Sequence, residues 1–195
     1  MPALKLVLLG DLSVGKSSLV NRFAVDSFDP HLPNTIGAAF ISKEHVSKDR
    51  SVKFEVWDTA GQERYKSLTP MYYRNAKVAL VCFDLSNTDL SFHRARYWCD
   101  QLAVLGPPDI DIVIVGTKLD LAETAVDVLV PEFCSDRGLR YVATSAKLGQ
   151  GVLELFDSIV DGLDEEMFRQ LELEPTEPEQ ENVLLFARAR NSGCC

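Results

Sequence analysis

The sequence predicts an α/β fold in which helices cover both faces of a mostly parallel six-stranded sheet with one antiparallel edge hairpin. Three observations carry this. Four apolar runs of strand length are rich in Val, Ile and Leu, as strands buried on both faces are. Helical periodicities lie between and after them. A further pair of strand patterns is interrupted only by a short polar break, which reads as a hairpin.

In chain order, Leu4–Leu9 is the first strand, and the glycine-bearing loop after it opens a helix. Phe40–Val46 and Val52–Trp57, separated by Ser47-Lys48-Asp49-Arg50-Ser51, form the hairpin. Val78–Phe83, Ile110–Val115 and Leu139–Ala143 complete the parallel set. Ala95, Trp98, Leu102 and Leu105 recur at helical spacing between two of these strands. Val152, Leu155, Phe156, Ile159, Val160, Leu163 and Met167 do so after the last, in a helix expected to fade near Leu171–Leu173. From Glu174 the run Glu-Pro-Thr-Glu-Pro-Glu-Gln-Glu is acidic and proline-punctuated, a solvated tether. The expected organisation is a folded domain over residues 1–171 and a flexible acidic tail over residues 172–195.

Composition bounds the function. The chain has 195 residues, 46% of them apolar and 25% charged, an ordinary globular mixture. A net charge of −9 argues against a general nucleic-acid binder. That charge is concentrated, since residues 164–181 carry one basic and eight acidic side chains. Of five cysteines, Cys82, Cys99 and Cys134 are scattered while Cys194 and Cys195 stand together. There is no C-x-x-C pair, so a reducing compartment is expected. No apolar run approaches the ~20 residues of a membrane-spanning helix. The first strand is too short and wrongly flanked for a signal peptide, and Pro2 excludes myristoylation. The three histidines, His31, His45 and His93, suggest no metal site.

Gly10-Asp11-Leu12-Ser13-Val14-Gly15-Lys16-Ser17 matches G-x-x-x-x-G-K-[ST], between a strand and a helix as that motif requires. Such a loop curls backbone N–H groups round a β-phosphate at the positive end of the helix dipole. Lys16 then reaches β and γ oxygens, and the Ser17 hydroxyl binds Mg²⁺. Trp57-Asp58-Thr59-Ala60-Gly61-Gln62-Glu63 ends the second hairpin strand. There Asp58 suits the Mg²⁺ shell, the Gly61 N–H suits a γ-phosphate, and Gln62 suits the orientation of an attacking water. Thr35, in a loop before the hairpin, offers a hydroxyl to cap metal and γ-phosphate. Thr117-Lys118-Leu119-Asp120 and Ser145-Ala146-Lys147 each follow a parallel strand. The Asp120 carboxylate can accept from both N1–H and the 2-amino group of guanine, and adenine has neither donor. The Ala146 N–H suits O6, and the Lys118 stem suits the ring face. An adenine-nucleotide kinase or ATPase would share the phosphate loop, but Asp120 and Lys147 speak against it.

These blocks, in this order over about residues 4–171, resemble the Rab family of the Ras superfamily of small GTPases, and so imply a P-loop NTPase small G-domain. The Rab character lies in Ile36-Gly37-Ala38-Ala39-Phe40, in Trp57 to Tyr65 and in Met71-Tyr72-Tyr73-Arg74. Gly37 to Phe40 and Ser67 to Arg74 look most like the endocytic, early-endosomal group. The resemblance implies a GTP/GDP switch for vesicle trafficking that hydrolyses GTP slowly with Mg²⁺. Amides from Leu12 to Ser18 (Leu12, Ser13, Val14, Gly15, Lys16, Ser17 and Ser18) would bind phosphates. Ser17 and Thr35 would ligate Mg²⁺, with Asp58 acting through water. Phe28 would pack edge-on against guanine. Residues 27–40 and 60–75 would be switch segments, held by γ-phosphate and released after hydrolysis. Phe40, Trp57 and Tyr72 match the aromatic triad that shows the nucleotide state to effectors.

Implied partners are effectors, an exchange factor, an activating protein and the proteins that escort and extract prenylated Rabs. A monomer is expected. Cys194 and Cys195 match a doubly geranylgeranylated terminus, and two chains anchor where one does not. The implied location is the cytoplasmic face of intracellular membranes, endosomal in the first place, in exchange with the cytosol. Val183-Leu184-Leu185-Phe186 would dock on an escort or extraction protein, or fold back as a helical extension.

Two residues depart from the family pattern. Thr117 stands where asparagine is usual, which keeps one hydroxyl and loses an amide fork; weaker affinity or faster exchange is expected, with guanine specificity kept through Asp120. Leu12 is bulky where a γ-phosphate and an incoming arginine finger would stand, and impaired hydrolysis and toleration both remain open. A hydrolysis-deficient GTP-binding scaffold is the competing reading, with Gln62 against it.

Overall fold

The computed structural model describes residues 1–122 and 129–173. Six strands, β1 (Ala3–Gly10), β2 (Ala38–Ser47), β3 (Arg50–Thr59), β4 (Val78–Asp84), β5 (Asp111–Thr117) and β6 (Arg140–Ala143), form one sheet in the order β2-β3-β1-β4-β5-β6. Every neighbouring pair is parallel except β2 and β3, which run antiparallel from Ala38 opposite Thr59 to Ser47 opposite Arg50. Helices α1 (Lys16–Val25), α2 (Thr69–Tyr73), α3 (Thr88–Leu105), α4 (Leu129–Arg137), α5 (Val152–Asp161) and α6 (Glu165–Leu173) flank it. Among the described residues no helix is long and apolar enough to cross a membrane.

The alternation of side chains along β1 divides the core in two. Leu4, Leu6 and Leu8 face α1 and α5, where Leu19, Phe23, Leu155, Phe156 and Ile159 close the first layer. Val7 and Leu9 face α3 and α4, where Phe92, Trp98, Leu102, Val130 and Cys134 close the second. Covered on both sides, β1 carries the chain to Gly10 at the centre of the sheet. Beside β1 the strand order reverses direction, and open α/β sheets bind ligands at such a point, beyond the carboxyl ends of the strands.

The expected fold class is the one observed, with local differences. The hairpin break is shorter than the sequence suggests: pairing reaches Ser47 and Arg50, leaving Lys48, with φ of 52°, and Asp49 to turn the chain. Leu105, the last residue of the α3 periodicity, is exposed because the helix ends there, against Gly106. The final helical pattern is two helices. Gly162 ends α5, and the Asp164 side chain accepts the Met167 N–H at 2.7 Å to begin α6. Periodicity ran through this break because Leu163 is itself buried. Helix α4 has no apolar periodicity in the sequence, since only Val130 and Cys134 of it are buried. Residues 174–195, with Val183–Phe186, Cys194 and Cys195, lie outside the described residues.

The first layer centres on Phe156, fully buried, its ring stacked on Phe23 at 3.4 Å between centroids and edge-on to Phe54 at 5.2 Å. Phe156→Ala is expected to lower stability by about 3–5 kcal/mol in urea unfolding, the usual cost of emptying a buried aromatic site.

Candidate functional site

The loop from β1 to α1 is shaped by steric necessity. Gly10 has φ of 146°, and a Cβ there would lie 2.4 Å from the Cys82 carbonyl oxygen of β4. Gly61 approaches from the other side, where a Cβ would come within 2.4 Å of the Asp11 carbonyl and the Leu12 nitrogen. The phosphate loop is thus clasped between β4 and the segment after β3, with no room for a side chain at either contact. Inside it the Lys16 ammonium, only 5% exposed, donates to the Gly10 carbonyl at 3.0 Å and to the Asp11 carbonyl at 2.7 Å. Burial lowers its pKa, and the charge of Asp58 works against that.

Beside the loop three oxygens converge from three segments distant in sequence. Ser17 Oγ donates to Asp58 Oδ2 at 2.5 Å, Thr35 Oγ1 donates to the same oxygen at 3.0 Å, and the two hydroxyls are 2.8 Å apart. Asp58 is buried, and burial raises its pKa against the hydrogen bond from Ser17 and the charge of Lys16. Its Oδ1 is buried without a hydrogen-bond partner. Two hydroxyls and a carboxylate with a spare oxygen make a hard donor set that fits a small divalent cation such as Mg²⁺.

The far wall comes from the loops after β5 and β6. Lys118 adopts φ of 56°, and its ammonium donates to Asp84 Oδ2 at 2.6 Å at the end of β4. Burial alone would raise the pKa of Asp84, but the bonds from Lys118 and Ser86 outweigh it and hold the carboxyl below its usual range. Ser145 Oγ donates to Asp120 Oδ1 at 2.6 Å and so joins the two loops. The buried Thr117 hydroxyl sits between the Val14 carbonyl of the phosphate loop and the Phe83 carbonyl of β4, the latter at 2.8 Å.

These walls enclose one cleft of about 720 Å³. Leu12, Ser13, Gly15, Lys16, Ser17, Ser18, Phe28, Thr35, Gly61, Thr117, Lys118, Asp120, Ala146 and Lys147 line it. The other two residues expected at the nucleotide stand behind the lining. Val14 is packed in the first core layer, and Ser145 is fully buried and holds Asp120. Gln62 is outside the cleft lining as well, its amide oxygen accepting the Arg64 Nε–H at 2.6 Å. Phe40, Trp57 and Tyr72 meet in a row, with centroids 5.3 Å apart for the first pair and 5.7 Å for the second. Two supporting residues were not legible from motifs, namely Asp84, which holds Lys118, and Arg22, which bonds the Ala146 and Lys147 carbonyls. Both lie outside the motif blocks and act on backbone or on another side chain.

A parallel sheet whose central strand delivers such a loop, and whose next strands deliver a base-sized cleft, is the nucleotide-binding domain of a P-loop protein. The Ras family model matches residues 5–165. The chain is 43% identical to Ras-related protein RABF2b of Arabidopsis thaliana, covering 98% of this chain and 94% of the relative. It is 48% identical to Ras-related protein Rab-5A of Dictyostelium discoideum, covering 82% and 80%, and 44% identical to GTP-binding protein YPT52 of Saccharomyces cerevisiae, covering 82% and 81%. The chain belongs to the Ras family and, within it, to the Rab small GTPases, which bind guanine nucleotide, hydrolyse GTP and serve vesicle trafficking.

Thr117 has one proton for two carbonyls, whereas an asparagine amide would bring two N–H donors. Thr117→Asn is therefore expected to slow GDP dissociation by about five- to tenfold, the worth of one added hydrogen bond. Stopped-flow release of a fluorescent GDP measures it, and equal rates would refute it.

Proposed function

We propose that the cleft holds GTP with its phosphates on the loop from Leu12 to Ser18 and its base between Phe28 and the Lys118 stem. The convergence of Ser17, Thr35 and Asp58 beside Lys16 is the observation that carries this reading. Ser17 and Thr35 would hold Mg²⁺ directly and Asp58 through water. The metal supplies charge neutralisation on the β and γ oxygens. Lys16 adds a buried positive charge for those oxygens, and the Gly61 N–H faces the γ-phosphate. Gln62 leaves Arg64 to orient the attacking water, so hydrolysis is slow until an activating protein favours that position. Asp120 accepts from N1–H and the 2-amino group, and Ala146 donates to O6. Leu12, 44% exposed at the cleft, is the side chain an arginine finger would have to pass.

Thr35 belongs to the first switch and Gly61 and Gln62 to the second, so loss of γ-phosphate frees both. Phe40, Trp57 and Tyr72 present that change to effectors. The role is early-endosomal, on the cytoplasmic face of the membrane and in exchange with the cytosol, a reading that the likeness to Rab relatives supports. Residues 172–195 serve as the link between the folded domain and the membrane. Cys194 and Cys195 carry geranylgeranyl groups, and Val183–Phe186 engages the proteins that escort and extract the prenylated chain.

Single-turnover GTP hydrolysis tests the catalytic assignment. Gln62→Leu is expected to slow it by at least about tenfold with GTP affinity retained, within the range for general acid–base and positioning groups. Equal rates would remove Gln62 from the chemistry. Chelation of Mg²⁺ by EDTA is expected to speed GDP release by more than about tenfold. Ser17→Ala is expected to blunt that response, and an unchanged response would place the metal elsewhere.

A further inference from the structure

Arg22 lies on α1, the helix that begins with Lys16 and Ser17, and its side chain is 17% exposed. No motif includes it and it does not line the cleft. Its guanidinium nevertheless grips the base loop. Nε donates to the Ala146 carbonyl at 2.7 Å and Nη2 to the Lys147 carbonyl at 3.1 Å. Nη1, on the opposite edge, donates at 2.9 Å to both the carbonyl and the carboxylate of Asp26, the residue that closes α1.

The consequence follows from peptide geometry. A planar trans peptide directs its C=O and N–H to opposite sides. Holding the Ala146 carbonyl on Arg22 turns the Lys147 N–H away from α1. Holding the Lys147 carbonyl does the same for the Leu148 N–H, which is bonded to Ser145 Oγ at 3.1 Å. Two successive peptide planes are thereby set by one side chain. Nε and Nη2 share an edge of a rigid plane and reach adjacent carbonyls together, which the single mobile ammonium of lysine does not do.

We propose that Arg22 is a positioning residue for base recognition: without touching the nucleotide, it fixes the peptide planes on either side of Lys147, so that the Lys147 N–H joins the Ala146 N–H at O6 of guanine. This rests on the reading that the cleft holds guanine with O6 at Ala146. Arg22 also mechanically joins the base loop to the helix that carries Lys16 and Ser17, so base and phosphate sites share one strut.

The test uses release rates of three nucleotides from the full chain. GDP offers O6, 6-thioguanosine diphosphate replaces only that oxygen with a weaker acceptor, and inosine diphosphate keeps O6 and lacks the 2-amino group. Arg22→Lys is expected to speed GDP and inosine diphosphate release by about tenfold, and release of the thio analogue by about twofold or less, since two charge-assisted bonds behind an O6 contact are lost. Arg22→Gln, with one amide in place of the fork, should fall between. Asp26→Ala, which leaves Nε and Nη2 engaged, should stay within about twofold of the parent for all three. Melting temperatures of all variants show whether the fold is kept. Equal acceleration of GDP and the thio analogue would reduce Arg22 to a general structural support and overturn the proposal, as would no acceleration. If the parent releases GDP and the thio analogue equally, O6 is not read at Ala146 and the proposal falls with that contact. If GDP and inosine diphosphate are also released equally, the guanine reading of Asp120 falls too.

Discussion

Two opposite charges are buried at the carboxyl edge of the sheet, and the rest of the site is arranged around them. Lys16 and Asp58 are each no more than 5% exposed. Burying an ion costs several kcal/mol unless it is well paired and hydrogen-bonded. Lys16 meets part of that cost with two loop carbonyls and Asp58 with two hydroxyls, yet Asp58 keeps an unbonded oxygen. In the proposed reading a phosphate and a divalent cation would complement these groups, and binding them would relieve desolvation incurred in folding and so couple ligand affinity to domain stability.

The same pair explains how the cleft reaches the surface. Asp58 lies opposite Ala39 and Trp57 opposite Phe40 in the antiparallel register. Side chains alternate along a strand, so Asp58 turns toward the Ser17 and Thr35 hydroxyls while its neighbour Trp57 joins Phe40 and Tyr72 on the other side. Thr35, bonded to Asp58, stands three residues before the start of β2. A shift of Thr35 must therefore be taken up within a few residues by the end of the strand that bears Phe40. Asp58 and Trp57 are adjacent along β3, so in the proposed reading the coupling between the phosphate site and the aromatic row would be short and mechanical.

Much of this was legible in the sequence because the signals were of one kind. Strands buried on both faces announce themselves as apolar runs, and the glycine spacing of the phosphate loop reflects contacts with no room for a Cβ, as at Gly10 and Gly61. What escaped depended on interactions that leave no pattern. Leu163 continued an apolar period across a real helix break, because burial does not distinguish a helix from a tight turn. Arg22 and Asp84 act on backbone carbonyls and on a lysine supplied by chain 34 residues or more away, and a single sequence carries no trace of that pairing. Nor do motifs show that the Val14 carbonyl anchors the Thr117 hydroxyl or that Ser145 Oγ holds Asp120.

The base side of the cleft is an assembly problem, since its parts are loops that leave β5 and β6 after pairing ends at Gly116 and Ala143. Beyond the last ladder bond the backbone adds two bonds, Leu119 N–H to the Thr144 carbonyl at 3.0 Å and Ser145 N–H to the Gln150 carbonyl at 2.9 Å, and side chains tie the loops to their surroundings. Four ties do so here: Lys118 to Asp84, Ser145 to Asp120, Thr117 to the Val14 and Phe83 carbonyls, and Arg22 to the carbonyls of Ala146 and Lys147. Asp120 lies in this frame and, in the proposed reading, would itself carry the carboxylate that selects the base. A weaker Thr117 tie would therefore shorten the time the frame stays closed and leave that carboxylate in place, whereas the Arg22 tie bears on the O6 contact itself. Under the proposed function, threonine in place of asparagine at position 117 would alter exchange through its bonds to the Val14 and Phe83 carbonyls, while the Asp120 carboxylate keeps its part in selecting the base.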